Sequence, residues 1–297
     1  MNWENGGGLS PLGEWIAGGR RLVVRGSGHE HTLFVRQDGP EDGRPVTLLH
    51  GFPTSSHDWA GVVPPLTENG CRVTTLDLLG FGESDKPRHH AYSLLEQADL
   101  VQAVWKRLEI GTTALVAHDY GVSVAQELLA RDSSRISSMA WLNGGLYADL
   151  HRPVLVQRLL HSKLGPLLAR AMTERRFHTS MRRVLARPVP DWVLHDMWLS
   201  IARADGQLLA PRLLRYIDER RQYGTRWSDA HEHYPGPTLF VWGPADPISG
   251  AHVIARIRQR MPHAAVTELA GPPPVGHYPQ VESPHEVAAA LVGFLAG

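Results

Sequence analysis

The segment at residues 113–131, TALVAHDYGVSVAQELLAR, constrains the fold more than any other part of the chain. An apolar run of strand length ends in a small residue, His118-Asp119-Tyr120 and a glycine follow, and a helical pattern then takes over. A strand that turns this sharply into a helix crowds the backbone at its apex, so the positions two before and two after must be small. Ala117 and Gly121 meet that requirement, and Asp119 occupies the apex. In purely structural terms Asp119 would cap the helix, since aspartate is a favoured N-cap and its charge suits the helix dipole.

A carboxylate presented on such a turn narrows the chemistry. Attack on an ester would give a high-energy anhydride, so an apical aspartate suits displacement at saturated carbon, leaving an alkyl ester of Asp119. The carboxylate is already ionised, with an unperturbed pKa of about 4. A histidine is then needed to activate the water that cleaves the ester. Epoxides and alkyl halides are the electrophiles this chemistry suits. His277, in VGHYPQVE, follows the apolar stretch 264–269 and precedes a C-terminal amphipathic helix. Asp246, in TLFVWGPADPI, follows the strand pattern 238–242, where an acid would orient the imidazole. As a structural residue, His277 would be a surface-loop histidine. The chain order of nucleophile, acid and histidine matches the α/β-hydrolase arrangement. HGFPTSSHDW, at residues 50–59, follows a short apolar strand. The N–H of Phe52 in this turn, with that of Tyr120, would form an oxyanion hole. Structurally, Gly51 and Pro53 are turn formers and Trp59 a core aromatic.

On these residues the chain resembles the epoxide hydrolase and haloalkane dehalogenase branch of the α/β-hydrolases, and within it the mesoderm-specific transcript protein family. The resemblance runs over residues 46–294 through LLHGFPTSSHDW, LGFGESDKPR, HDYG, the NGG at Asn143, HRPVLVQRLL, the DMW at Asp196, the YIDER at Tyr216 and GHYPQVE. It implies an α/β-hydrolase fold, a mostly parallel sheet flanked by helices with an inserted helical cap, and a triad of Asp119, Asp246 and His277. Dehalogenases of the branch hold the halide with a tryptophan after the nucleophile, and either an asparagine after the His-Gly pair or a second tryptophan in the cap. Here those positions carry Tyr120 and Phe52. Epoxide hydrolases use cap tyrosines, and a phenol of pKa about 10 suits protonation of a leaving alkoxide. Tyr216, within the helical pattern 212–221, and Tyr147 are the candidates, with His118 and Trp198 as further substrate-binding residues. The reading that follows is hydrolysis of small apolar epoxides through an Asp119 ester. Dehalogenation, ester or lactone hydrolysis, and ligand binding without turnover are the alternatives.

The rest of the sequence sets bounds. The pattern divides into a first core part at 1–143, a helical cap at 144–233 and a second core part at 234–297. Strands are expected near 20–25 and 31–37, with strand and helix alternating over 46–142. Prolines 153, 166, 188, 190 and 211 then interrupt helical segments up to Glu232. Alternation resumes at Pro237 and closes with a helix over 284–295. Alternation of this kind builds a parallel sheet with helices on both faces. The cap would shield Asp119 from water and line a pocket with Trp192, Met197, Trp198 and Tyr216.

Thirty Lys and Arg balance thirty Asp and Glu, which gives no electrostatic reason to bind nucleic acid. Arg170, Arg175, Arg176, Arg182, Arg183 and Arg187 crowd the cap and read as a solvated helix face. A single cysteine, Cys71, makes no internal disulfide and fits a reducing, cytoplasmic setting. The opening MNWENGGGLSPLGEW lacks a secretory pattern, and no run approaches membrane-spanning length. Gly80, Gly82 and Ser84 lack the third glycine of a dinucleotide site and read as a turn near the active site. His29-Glu30-His31 and His231-Glu232-His233 look like ligand pairs on strand faces, but no third ligand is spaced to complete either. No metal or cofactor is therefore expected. The expected partner is a small-molecule substrate, and a homodimer is left open.

Overall fold

A computed structural model describes residues 10–26 and 28–297. The expectation about an N-terminal leader rests mainly on residues 1–9, outside the described residues. Eight strands form one sheet: β1 (Arg20–Gly26), β2 (His29–Asp38), β3 (Arg44–Leu49), β4 (Cys71–Leu76), β5 (Thr113–Asp119), β6 (Ile136–Gly144), β7 (Thr238–Trp242) and β8 (Ala265–Glu268). Their order across the sheet is β1-β2-β4-β3-β5-β6-β7-β8. β2 pairs antiparallel with β1 and β4, and the remaining neighbours are parallel. The alternating pattern implies such a mostly parallel sheet, and the α/β-hydrolase fold is the one that the resemblance implies.

Parallel strands are covered on both faces, so they are apolar throughout rather than alternating. Every residue of β5 is buried. Leu115 and Ala117 join one core, with residues of the helices Leu94–Arg107, Tyr120–Arg131 and Ala251–Arg260. Ala114 and Val116 join the other, with the helices Val63–Glu68 and Pro284–Ala296. Cys71 is a free, buried thiol of that second core.

Between β6 and β7 the chain runs through helices Leu155–Leu160, Gly165–Arg170, Glu174–Met181, Asp191–Ala202, Ala210–Leu213 and Tyr216–Glu232. A third apolar cluster joins Phe177, Met181, Val193, Leu194, Met197 and Ile201 of this segment to Ile248, Tyr278 and Val281 of the core, seating the helices over the strand ends. The helix Tyr216–Glu232 is docked on the helix after β5. Arg220 Nε donates to Ser123 Oγ at 2.7 Å, Trp227 Nε1 to Glu127 Oε2 at 2.8 Å, and Gln126 Nε2 to His231 Nδ1 at 2.9 Å. His231 therefore lies on a helix, not a strand, and its neighbour at 233 does not share its face.

Candidate active site

Asp119 ends β5 with φ 44° and ψ −103°, a conformation that L-residues avoid and that a surrounding structure must enforce. The enforcement comes from close packing at the turn. A Cβ on Gly121 would stand 2.8 Å from the carbonyl oxygens of both Leu49 and His50, so only glycine lets the helix start this close to β3. Asp119 does not cap the helix with its side chain. Its carboxylate instead faces inward, 3% of the residue being exposed.

Three groups converge on that carboxylate. Phe52 N–H donates to Oδ2 at 3.0 Å, His277 Nε2 stands 4.0 Å from Oδ1, and the Arg220 guanidinium lies 3.8 Å from Oδ1. Tyr120 begins the helix, where a first-turn N–H has no carbonyl partner within the helix. His277 Nδ1 meets Asp246 Oδ2 at 2.8 Å. Asp246 also accepts from Asn143 Nδ2, Ser249 Oγ and the Ile248 N–H. Burial opposes charge on Asp246, but the His277 charge and these donors outweigh it and hold its pKa down to about 2. For His277 burial again opposes charge, and the Asp246 carboxylate, with Asp119 further off, lifts its pKa to about 9.

The structure brings Asp119, Asp246, His277 and Phe52 together. Other sequence candidates fall elsewhere. His118 is fully buried behind the turn, with Nε2 on the His277 carbonyl at 2.8 Å and Nδ1 on Gln280 Nε2 at 3.0 Å. Both ring nitrogens are occupied, and burial drives its pKa down to about 4, so it is a neutral strut for the His277 loop rather than a substrate contact. The Tyr120 ring is buried against Tyr216 and Phe81. Tyr147 is not brought to the site. Its ring packs on His231 beneath Arg256, in a polar cleft with Glu232 and Arg260, because the chain turns away after β6.

Tyr216 is fully buried beside the site, its ring 6.3 Å from Phe52 and its hydroxyl 3.5 Å from Gln157 Nε2. Burial and then the Asp119 charge push its pKa above the ordinary phenol value. Trp198 lines the cavity, Met197 belongs to the cap's own core, and Trp192 is exposed. The cavity is about 100 Å³, walled by Phe52, Phe177, Met181, Trp198, Ile201 and Tyr278 among others, with His277 also in its wall. Gln157 is among its few polar wall residues.

Sequence reasoning missed several residues. Arg220 is 2% exposed, donates to the Asp119 carbonyl at 2.9 Å and lies 4.3 Å over the Tyr216 ring. Gly145 makes room for it, since a Cβ there would meet the guanidinium at 2.5 Å. An arginine in a run of charged helical residues gives no sign of this placement. Tyr278 donates to the Phe52 carbonyl at 2.8 Å and so fixes the turn that offers the Phe52 N–H. Asn143 grips Gly243 through both ends of its amide, at 2.9 and 2.6 Å, while holding Asp246. Its place in an NGG directly after a strand was the available signal.

The sequence signature described as the alpha/beta hydrolase fold matches residues 44–284. The chain belongs to the α/β-hydrolase family. This α/β-hydrolase is 40% identical over 298 residues to LipZ of Mycobacterium tuberculosis, a hydrolase in name, covering 95% of this chain and 97% of that protein. It is 38% identical over 304 residues to the human mesoderm-specific transcript homolog protein, covering 97% of this chain and 89% of the relative. Among solved structures, the haloalkane dehalogenase DbeA of Bradyrhizobium elkani shares the fold with a TM-score of 0.81 at 22% identity, over 94% of this chain and 97% of that one. A haloalkane dehalogenase of Mycolicibacterium paratuberculosis is 30% identical over 78% of this chain and 77% of that protein, so the protein is a hydrolase related to haloalkane dehalogenases. No helix among the described residues is long and apolar enough to cross a membrane.

Proposed function

We propose that this hydrolase opens small, largely apolar epoxides through a covalent ester of Asp119. The observation that carries the reading is the convergence on one buried carboxylate of a strained apex, the Phe52 N–H and the His277 imidazole. In the first step an Asp119 oxygen attacks an epoxide carbon, the carbon–oxygen bond breaks, and the alkoxide takes a proton from the Tyr216 phenol. In the second, His277 Nε2 removes a proton from water as the water oxygen attacks the ester carbonyl. The resulting oxyanion is held by the N–H groups of Phe52 and Tyr120. Collapse breaks the ester carbon–oxygen bond, the proton left on the new Asp119 carboxyl passes to the departing alkoxide to give the diol and the carboxylate, and the proton on His277 returns through solvent to the Tyr216 phenolate.

The raised pKa of His277 fits this sequence. Asp119 contributes to holding the imidazole proton, and forming the ester removes that charge. The first step thereby lowers the pKa of the base needed for the second. Arg220 fits as well, its guanidinium standing 3.8 Å from a buried carboxylate that attacks as the anion.

The haloalkane dehalogenase of Mycolicibacterium paratuberculosis favours a second reading. Dehalogenation uses the same nucleophile but needs donors on the departing halide, and the Tyr120 ring is packed into the core instead. Single turnover in heavy-oxygen water tests the covalent route: label in the Asp119 carboxylate is expected, and label confined to product would refute it. Diol release from a styrene-oxide-type substrate against bromide release from short bromoalkanes then separates the two readings.

A further inference from the structure

The spacing of His29-Glu30-His31 offers no third ligand along the sequence, but the fold brings two ligand types to His31 from elsewhere. His31 lies on β2, His90 in the loop after β4, and Glu96 in the first turn of the helix Leu94–Arg107. One ligand atom from each lies within 4.8 Å of the other two. His90 Nε2 is 2.5 Å from Glu96 Oε2, and His31 Nε2 is 3.7 Å from Glu96 Oε1. The two imidazoles face each other edge to face at 5.2 Å. His31 is 8% exposed, and its Nε2 has no hydrogen-bond partner although it points into this group. A buried ring nitrogen left in this way calls for an occupant.

We propose that His31, His90 and Glu96 form a binding site for a divalent transition metal, with zinc as the ion that suits two imidazoles and one carboxylate. Tetrahedral zinc with bonds of about 2.0–2.2 Å places its ligand atoms roughly 3.4 Å apart. Small rotations of the two rings, about 1 Å at the nitrogens, close the set around an ion and leave a fourth position for water. The site is remote in role from Asp119 and stands or falls independently of the epoxide reading. Its consequence is mechanical. The loop that carries His90 also carries Lys86, whose Nζ donates to the carbonyls of Ser200 and Arg203 in the cap. The helix that carries Glu96 meets the cap where the Leu94 N–H donates to Glu219. An ion joining β2, loop and helix would stiffen the base on which the cap is anchored.

The test is calorimetric titration of chelator-treated, full-length protein with Zn²⁺, alongside thermal melts and Co²⁺ absorption. One ion per chain is expected, with a Tm rise of about 5 °C at a hundredfold excess over Kd. Co²⁺ should give the visible bands of a four-coordinate nitrogen and oxygen site. Glu96→Gln and His90→Ala should each weaken binding tenfold or more while the far-ultraviolet spectrum is unchanged. His285→Ala, at an exposed histidine elsewhere, should leave it intact. His90 is only half-buried in a loop, so its variant guards against a folding failure in the other. Absent binding, binding weakened less than tenfold in both variants, or binding lost in His285→Ala would overturn the site.

Discussion

On the sheet side of the cavity polar partners hold the triad: Asp246 is held by His277, Asn143, Ser249 and the Ile248 N–H, and His118 by the His277 carbonyl and Gln280. On the cap side the wall is Phe177, Met181, Val184, Trp198 and Ile201, with Gln157 a rare polar exception. Such hydrogen bonding fixes the reacting groups to within fractions of an ångström, whereas an apolar wall selects by size and shape and tolerates repacking. Chemistry should therefore fail abruptly when the floor is altered, and selectivity should drift when the roof is altered.

The sharpest way to break this contrast is at the apex. Asp119→Ala should lower kcat by about 10⁴-fold or more with the far-ultraviolet spectrum unchanged, as loss of a nucleophile does elsewhere; a variant that kept turnover would remove the floor from the chemistry. His277→Gln should slow the second step by about 10³-fold and let the ester accumulate, seen by mass spectrometry as a protein adduct. In the unaltered enzyme the ester-hydrolysis rate should rise with pH and level off below about 9, since only neutral imidazole can take the proton and the ester has removed the Asp119 charge that helps to hold it. The same shift has a stability counterpart. A histidine whose folded pKa is raised stabilises fully below 6.5, and that contribution is lost as pH rises through about 9. Melts across this window should fall more steeply in the unaltered protein than in His277→Gln.

Arg220 belongs to the cap segment by sequence and to the floor by contact. Arg220→Met would strand the Asp119 carbonyl and Ser123 and should cost about 3 kcal/mol in a denaturant titration; a cost under about 1 kcal/mol would return Arg220 to the roof. Phe177→Ala should raise KM roughly tenfold for bulky substrates while kcat stays within about threefold. Equal losses in kcat and kcat/KM would mean the wall takes part in the transition state. The last test leaves the reacting groups untouched. Asp58 is buried, and burial lifts its pKa to about 8 from 3.8. A carboxyl shifted in that direction loses stability for the protein as pH climbs from 3.8 towards 8. Asp58→Asn should raise Tm at pH 8 and leave it unchanged at pH 4.

The turn around Asp119 was legible because its rule is local: small residues two positions either side of the apex can be read along the chain. The same holds for strands such as β7, whose apolar run and flanking Pro237 and Gly243 mark both ends. Tyr216 ranked ahead of Tyr147 only through its place in the helical pattern 212–221, which says nothing of where either ring faces. Only the docking of the last cap helix on the helix after Asp119 turned Tyr216 towards Phe52, while Tyr147 went to a separate polar cleft. His31 shows the same limit in reverse. Along the chain its neighbour was His29, and in space its neighbours are His90 and Glu96.

What the amino-acid order determined on its own is the alternation of strand and helix, the tight turn and the identity of the residue at its apex. These follow from periodicity, from steric room at single positions and from propensities that act over a few residues. The tertiary structure decided which charges stand beside that apex, which aromatic rings face the cavity and which histidines share a carboxylate. Those pairings form because burial leaves a polar atom no water and forces it to take whatever partner the packing of distant segments brings near.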